Sequence, residues 1–384
     1  MVEIMALVCV ALIGYTYVGY PVLAALLGLF ADRRVSKDSV SRSVVVVISA
    51  FNEERDIEAT VRNKLGQDYP PEMLEVVVVS DESTDRTDQI VRTLVLEFPG
   101  RVRLIRQSPR QGKTQALNLA ISQLTCDIVV FSDANSIYEK GAIRALVSNF
   151  ADPTVGYVTG RMVYVDNVGS VVGKGSDSYI GYENCLRSFE TRLGSIVGAD
   201  GGVDAVRRVF YRPMRADQLP DFVLPLSVVE QGKRVVFEPA AVVFEHSLSS
   251  ASDEFRMRVR VSLRAMWALY DKRSLLNPTR YRLYSWQLLS HKVLRYLAFV
   301  PISLLFVLTA VASQTSFVWK AVFIAEILGL GVALAGHLMK NHPGVAAKLL
   351  LPYYVLILNV ACFFAFCKFV KGEKMIIWKP RTGN

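Results

Sequence analysis

The chain is poor in the residues that build disulfide frameworks and zinc centres. It carries five cysteines in 384 residues, and Cys9, Cys126, Cys185, Cys362 and Cys367 show no CxxC spacing. Cys9, Cys362 and Cys367 fall in apolar blocks, and Cys126 precedes a strand-like run. That distribution argues against a disulfide framework or a zinc site and fits a reducing compartment. No basic stripe interleaved with aromatics is present, so the net charge of +9 does not describe a nucleic-acid surface. It fits Lys and Arg gathered on the cytoplasmic side of a membrane. No small-residue cleavage site follows the first apolar run; Asp32, Arg33 and Arg34 stand there, which argues against a cleaved signal peptide. No internal repeat is visible, which counts against a transporter built from repeated halves.

What is present is apolar and unevenly spread. The composition is 52% hydrophobic. Apolar residues concentrate in one block at 4–31 and three near the other end, at 294–312, 317–338 and 349–366. Each is long enough to cross about 30 Å of hydrocarbon. Pro21 is a candidate kink in the first, and Glu326 is a charge inside the third. Glu3 precedes the first block, whereas Arg33, Arg34, Lys37 and Arg42 follow it. The positive-inside rule therefore puts the N-terminus outside and the next domain in the cytoplasm. Four crossings would then leave the C-terminus outside. Yet Lys368, Lys371, Lys374, Lys379 and Arg381 favour the inside. Either one block does not cross fully or the tail breaks the rule. The segment 252–272 is rich in Arg and Met and reads as an amphipathic helix, lying at a membrane surface or solvated on the domain.

Between these blocks the period changes. Strand-like runs at 44–48, 76–79, 102–105 and 128–131 alternate with helical patterns at 53–65, 85–96, 114–124 and 140–150. Continuous apolar strands alternating with helices predict a mostly parallel sheet covered on both faces. The next part is less regular. Strands are expected at 155–159 and 234–237, and helices at 173–193 and 221–232. This half is expected to hold an acceptor.

Each of the first four strands ends in polar residues. The fourth ends at Asp133 and Asn135, which would point the same way in an extended segment. Two oxygen ligands on one side suit a hard divalent cation. The other ends carry Asn52 and Glu53, then Asp81 to Asp85, then Arg110 to Lys113. Taken singly, each is as readily a turn or helix cap, and Asn52, Ser83 and Thr84 would all serve as caps. Taken together, they empty carboxylates, amides and a lysine onto one sheet edge. That edge would cradle a nucleotide and its phosphates, with Lys113 and a cation opposing the diphosphate charge.

Ala50 to Glu53, Val79 to Asp85, Gly112 to Asn118 and Phe131 to Asn135 resemble the ordered motifs of family 2 glycosyltransferases. The likeness covers about residues 44–260, and the membrane layout is similar to that of membrane-bound polysaccharide synthases. The resemblance implies a GT-A α/β domain, nucleotide-binding, joined to α-helical transmembrane segments. It implies transfer of a sugar from a nucleotide-diphosphate sugar, a UDP-sugar first, with inversion and with Mg²⁺ or Mn²⁺. Glu53 and Asp81 would contact base and ribose, with Ala50 and Phe51 shaping that pocket. Asp133 matches the first Asp of the Asp-x-Asp motif, and Asn135 stands where the second is usual. Asp221 matches the catalytic base, and Asp200 is the second candidate; Asp221 would also serve as a helix N-cap. Glu183 and Glu190 read as structural.

Processive members carry a Gln-x-x-Arg-Trp motif. Here Arg260 is kept as a diphosphate contact, while Met257 and Val261 replace Gln and Trp. Trp267, six residues beyond Val261, is the candidate to stack on an acceptor sugar. Transfer of one or a few sugars to a lipid-linked acceptor fits as well as polymer synthesis. The expected organisation is a transmembrane helix at 1–31, a cytoplasmic catalytic domain at 44–250 and interface helices at 251–288. The catalytic domain divides into a donor half at 44–150 and an acceptor half at 151–250. Three transmembrane helices at 289–371 and a tail at 372–384 follow. The expected setting is multi-pass, in the plasma (inner) membrane. The expected partners are the nucleotide-sugar donor, a glycan or lipid-linked acceptor and membrane lipids, without nucleic acid. The alternatives are a polyprenyl-phosphate sugar synthase and, from another class, a nucleotide-sensing membrane transporter.

Overall fold

A computed structural model describes residues 1–31, 33–39, 41–165, 171–246, 251–339 and 347–375. The chain divides into two compact units. One comprises Asp32–Val165, Glu190–His246 and Lys374–Asn384; the other comprises Met1–Ala31, Asp166–Phe189 and Ser247–Glu373.

The first unit is built on a sheet with eight strands among the described residues. In chain order these are β1 (Val44–Ala50), β2 (Leu74–Asp81), β3 (Val102–Gln107), β4 (Ile128–Asp133) and β5 (Ile137–Tyr138). Then come β6 (Val155–Val165), β7 (Asp204–Arg207) and β8 (Arg234–His246). The spatial order is β3-β2-β1-β4-β7-β6-β8-β5. The first four are parallel, as continuous Val and Ile runs covered on both faces require. The sheet is mixed beyond β4, because β7 runs antiparallel to both β4 and β6. β6 and β8 run parallel to each other and are much longer than their apolar cores suggest. Their register shifts between Thr159 and Arg161, opposite residues 238–241. Pro239 falls within that irregularity, where the ladder needs no N–H from it. Gly160 is required there, since a Cβ would lie 2.3 Å from the Ala241 carbonyl oxygen.

The helix Ile57–Leu65 begins four residues later than its period suggests. Its buried face holds Ile57 and Val61, as the apolar pattern predicts, but also Thr60 and Lys64. Asn52, Ser83 and Thr84 do not cap helices. The helices Ile57–Leu65 and Thr87–Glu97 have Asp56 and Arg86 at their N-caps, without a side-chain capping bond.

The second unit is helical. Val2–Phe30 is one 29-residue apolar helix. Pro21 does not break it; a π-turn at Tyr15–Gly19 absorbs the missing N–H one turn earlier. Phe317–Met339 and Pro352–Val370 are also long and apolar enough to cross a membrane. The block at 294–312 is not a single straight helix. Leu283–Tyr296 and Phe299–Ala312 meet at a 57° bend. Thr309 donates a 2.6 Å hydrogen bond to the Glu326 carboxylate, which supplies that intrahelical charge with a partner. The Arg-rich helix is Ala251–Asp271. Its face of Val259, Leu263 and Met266 packs on Ala361, Cys362 and Ala365.

Candidate active site

The site begins where β1 and β2 end. Asn52 and Glu82 both have left-handed backbone, with φ of 56° and 62°. The two loops are stitched together. Asn52 N–H donates to Ser83 Oγ at 3.2 Å, and Thr84 N–H donates to Asn52 Oδ1 at 2.8 Å. Glu53 N–H donates to Thr87 Oγ1 at 2.9 Å, and Glu54 N–H to Asp85 Oδ2 at 3.1 Å. The residues read as caps are the clasp between two strand ends.

Asp81 closes β2 and is only 4% exposed. Its carboxylate accepts from Gln111 N–H and Gly112 N–H, each at 2.9 Å, and from Gln107 Nε2 at 2.5 Å. Arg110 Nε donates to it at 3.4 Å. Asp81 therefore anchors the loop that leads from β3 into the helix Lys113–Ile121. The loop in turn sets the Arg110 guanidinium 3.4 Å from the centroid of the Phe51 ring. Ala50 is buried beside it in sequence. Gly112, at φ 86°, makes the turn that starts the helix at Lys113.

Lys113 joins the two halves of the site. Its Nζ lies 2.6 Å from Asp133 Oδ1 and 3.8 Å from Asp221 Oδ1. Burial disfavours its charge, but Asp133 and Asp221 outweigh that and raise it above the ordinary lysine range. Asp133 is the last residue of β4. The expectation that Asn135 continues the same extended segment fails, because Ala134 and Asn135 form a turn. Ser136 N–H closes that turn on the Asp133 carbonyl at 3.3 Å. Asn135 is thus aimed by the turn, not by strand alternation.

Asp221 is the second residue of the helix Pro220–Glu230, whose N-cap is Leu219. The N-cap reading for Asp221 is therefore wrong, and the helix has no side-chain capping bond. Its carboxylate lies against Gly201, where a Cβ would come within 2.7 Å of Oδ2. Gly201 and Gly202 both have left-handed backbone, at φ 81° and 78°. Asp200 directly precedes this pair. A Cβ on Gly202 would come within 2.8 Å of Glu245 Oε1. Glu190 is buried and accepts from Val197 N–H at 3.3 Å.

One residue was not singled out from the sequence. Asp204 opens β7 and is fully buried, with the hydroxyls of Thr159 and Tyr157 as its polar neighbours. Burial, then the charges of Asp221 and Asp200, push its carboxyl up to about 7. The signal for it is an acid between Val203 and Ala205 in an otherwise apolar run. Arg260 and Trp267 stand on the helix Ala251–Asp271 of the helical unit. Trp267 Nε1–H donates to the Glu373 carbonyl at 2.9 Å, and its ring lies 4.6 Å from that of Phe369. No group of three His, Cys, Asp or Glu poised for a metal occurs among the described residues.

Comparison with known proteins bears on this geometry. Residues 45–205 match the family model described as Glycosyl transferase family 2. Poly-beta-1,6-N-acetyl-D-glucosamine synthase of Staphylococcus aureus (strain COL) is 25% identical over 227 residues, 56% of this chain and 53% of that protein. A Bacillus subtilis (strain 168) protein named probable glycosyltransferase YdaM is 27% identical over 229 residues, 56% of this chain and 54% of that protein. The matches thus span about half the length of these curated relatives. The structure of the mannosyltransferase PcManGT from Pyrobaculum calidifontis, in complex with GDP-Man and Mn²⁺, aligns with a TM-score of 0.74. It is 22% identical and covers 97% of this chain and 100% of that chain, which shows a shared GT-A fold. Residues 45–205 are thus similar to the glycosyl transferase family 2 domain, on a GT-A fold.

Proposed function

We propose that this protein is a membrane-embedded, metal-dependent, inverting glycosyltransferase. It moves a sugar from a nucleotide-diphosphate sugar to a glycan or lipid-linked acceptor, in the synthesis of a cell-surface polysaccharide or glycolipid. The observation that carries the reading is Lys113, held between Asp133 and Asp221. One lysine links the strand end suited to a donor diphosphate with the acid suited to an acceptor.

The roles follow from the chemistry. Phe51 and Arg110 form a flat cationic platform for a nucleobase, and Ala50 shapes its floor. Glu53 lies on the β1 loop beside it as a further base or ribose contact. Asp81 acts on that pocket through the loop it anchors. Asp133 and Asn135 offer only oxygen, a donor set that fits Mg²⁺ or Mn²⁺. Such an ion, when bound, neutralises charge on the departing diphosphate. Lys113 adds a second positive charge there. Asp221 accepts the acceptor hydroxyl proton as that oxygen bonds to the anomeric carbon and the carbon–oxygen bond to the diphosphate breaks. Asp200 stands beside it as the second candidate. Attack from the face opposite the leaving group inverts the anomeric centre.

The membrane reading uses Val2–Phe30, Phe317–Met339 and Pro352–Val370 as three crossings. The bent pair Leu283–Tyr296 and Phe299–Ala312 then stays on one side. Three crossings put the N-terminus outside and the basic tail inside, with the catalytic domain in the cytoplasm. This removes the conflict between four crossings and the tail. Arg260 is assigned to diphosphate and Trp267 to acceptor contact.

A polyprenyl-phosphate sugar synthase is a second reading, favoured by Met257 and Val261 at positions where processive enzymes have Gln and Trp. Purified protein is offered UDP- and GDP-sugars with Mg²⁺ or Mn²⁺, and the products are weighed by mass spectrometry. The main reading predicts turnover that Asp133→Ala lowers by about 100-fold or more. A single sugar on a lipid phosphate identifies the second reading. No turnover with any donor contradicts both.

A further inference from the structure

Lysine is among the residues least often fully buried, and Lys64 has 0% exposure. Its surroundings explain its presence. Lys64 Nζ donates to the Ser136 carbonyl at 2.5 Å and to Asn63 Oδ1 at 3.1 Å. It also lies 3.8 Å from the centroid of the Tyr138 ring. An ammonium has three protons for these three acceptors; a neutral amine has two.

The same helix face holds the rest of the segment. Thr60 Oγ1 donates to the Ala134 carbonyl at 2.7 Å. Asn63 Nδ2 donates to the Tyr138 carbonyl at 2.9 Å, and Tyr138 N–H donates back to Asn63 Oδ1 at 2.8 Å. Thr60, Asn63 and Lys64 thus grip the backbone at 134, 136 and 138, on both sides of Asn135. The grip extends to the acceptor side. Tyr138 Oη–H is 2.8 Å from the carbonyls of both Phe131 and Gly202. Ser136 Oγ is hydrogen-bonded to the buried Glu245 carboxylate, which also lies against Gly202.

We propose that Lys64 is a positioning residue that fixes the turn after β4, and so the direction in which Asp133 and Asn135 present their oxygens. The assignment rests on the proposed function for what the turn holds, but the clamp itself is independent of turnover. Through Tyr138 and Ser136 the same clamp ties that turn to Gly202, next to the glycine that seats Asp221. The groups facing Lys64 are Glu245, Asp133, Ser136, Tyr138, Asn63 and Thr60. Burial lowers its basicity to about 7, against the opposing charges of Glu245 and Asp133. The third proton is therefore lost around neutral pH.

The test uses full-length protein in detergent and two readouts. Hydrogen exchange reports the order of the turn directly. In Lys64→Met the amides at 135–138 should exchange at least about tenfold faster while those of β1 and β2 stay as in wild type. In wild type, exchange at 135–138, corrected for intrinsic rates, should rise from pH 6 to 8; in Lys64→Met it should not. The second readout is titration with Mn²⁺ alone and with a UDP-sugar present. The variant should need about tenfold more Mn²⁺ for half-saturation. Because removing Lys64 leaves Glu245 buried beside it, the pair Lys64→Met with Glu245→Gln gives the same measurements in a charge-matched protein. Wild-type exchange at 135–138 in both variants overturns the proposal. Faster exchange with no Mn²⁺ or donor binding in wild type leaves the clamp standing and overturns the proposed function instead.

Discussion

Asp204 is the residue whose environment makes the sharpest energetic statement. Its carboxyl is pushed up to about 7, by burial first and then by Asp221 and Asp200. In an unfolded chain an aspartate titrates near pH 4. Between about pH 4 and pH 7 the unfolded chain has released this proton while the folded protein still holds it. Stability from this group is therefore full below pH 4, falls as pH rises, and levels off above about 7. Three units correspond to about 4 kcal/mol as an upper figure. Asp204→Asn removes the penalty. The variant should melt higher than wild type at pH 8, with the gap closing toward pH 4, as thermal unfolding will show. An equal or lower melting point at pH 8 would mean that the Asp204 charge is compensated. At this scale Asp133 and Lys113 stood out as polar residues at strand ends against apolar packing, and Asp221 through the resemblance; the structure brings both acids to Lys113. Asp204 and Lys64 were not legible. Lys64 lies within a helix and Asp204 at the start of a strand; a period registers each only as an interruption, and its meaning depends on residues distant in sequence. Asn135 was found for a reason the turn does not support.

At the scale of elements, alternation of β and α was readable because strands buried on both faces are continuous apolar runs. The lengths of β6 and β8 were not. Pro239 and Gly160 read as breaks, whereas the register shift between the strands accommodates both. The helical unit has its own buried feature. Glu183 is 4% exposed and lies 3.1 Å from His291 Nε2, 3.9 Å from Lys292 Nζ, and in hydrogen-bond contact with Arg295. Burial opposes its charge, but Arg295 and His291 outweigh that and hold it well below the usual carboxylate range. This agrees with a structural role for the residue. Removing one partner of a buried ion cluster leaves the others desolvated, at about 3–5 kcal/mol. Glu183→Gln should therefore melt well below wild type in detergent. An unchanged melting point would show that the cations relax into other contacts.

At the scale of the molecule, composition disclosed two regimes, an apolar helical part and an α/β part; the structure also divides into two units, but Asp166–Phe189, expected within the catalytic domain, belongs to the helical one. Hydropathy cannot detect a bend, so the block at 294–312 counted as a crossing. With that pair held on one side, reporter fusions after residue 339 should read outside and fusions at the C-terminus inside. A C-terminal fusion that reads outside would restore four crossings. The proposed function requires that one site transfer a sugar in a single displacement with Asp221 as base. The direct measurement is the anomeric configuration of the product by NMR, with wild type and Asp221→Asn compared on an α-linked donor. A β-linked product from wild type, and turnover reduced by about 100-fold or more in the variant, is the predicted result. An α-linked product, or a variant as active as wild type, would contradict it.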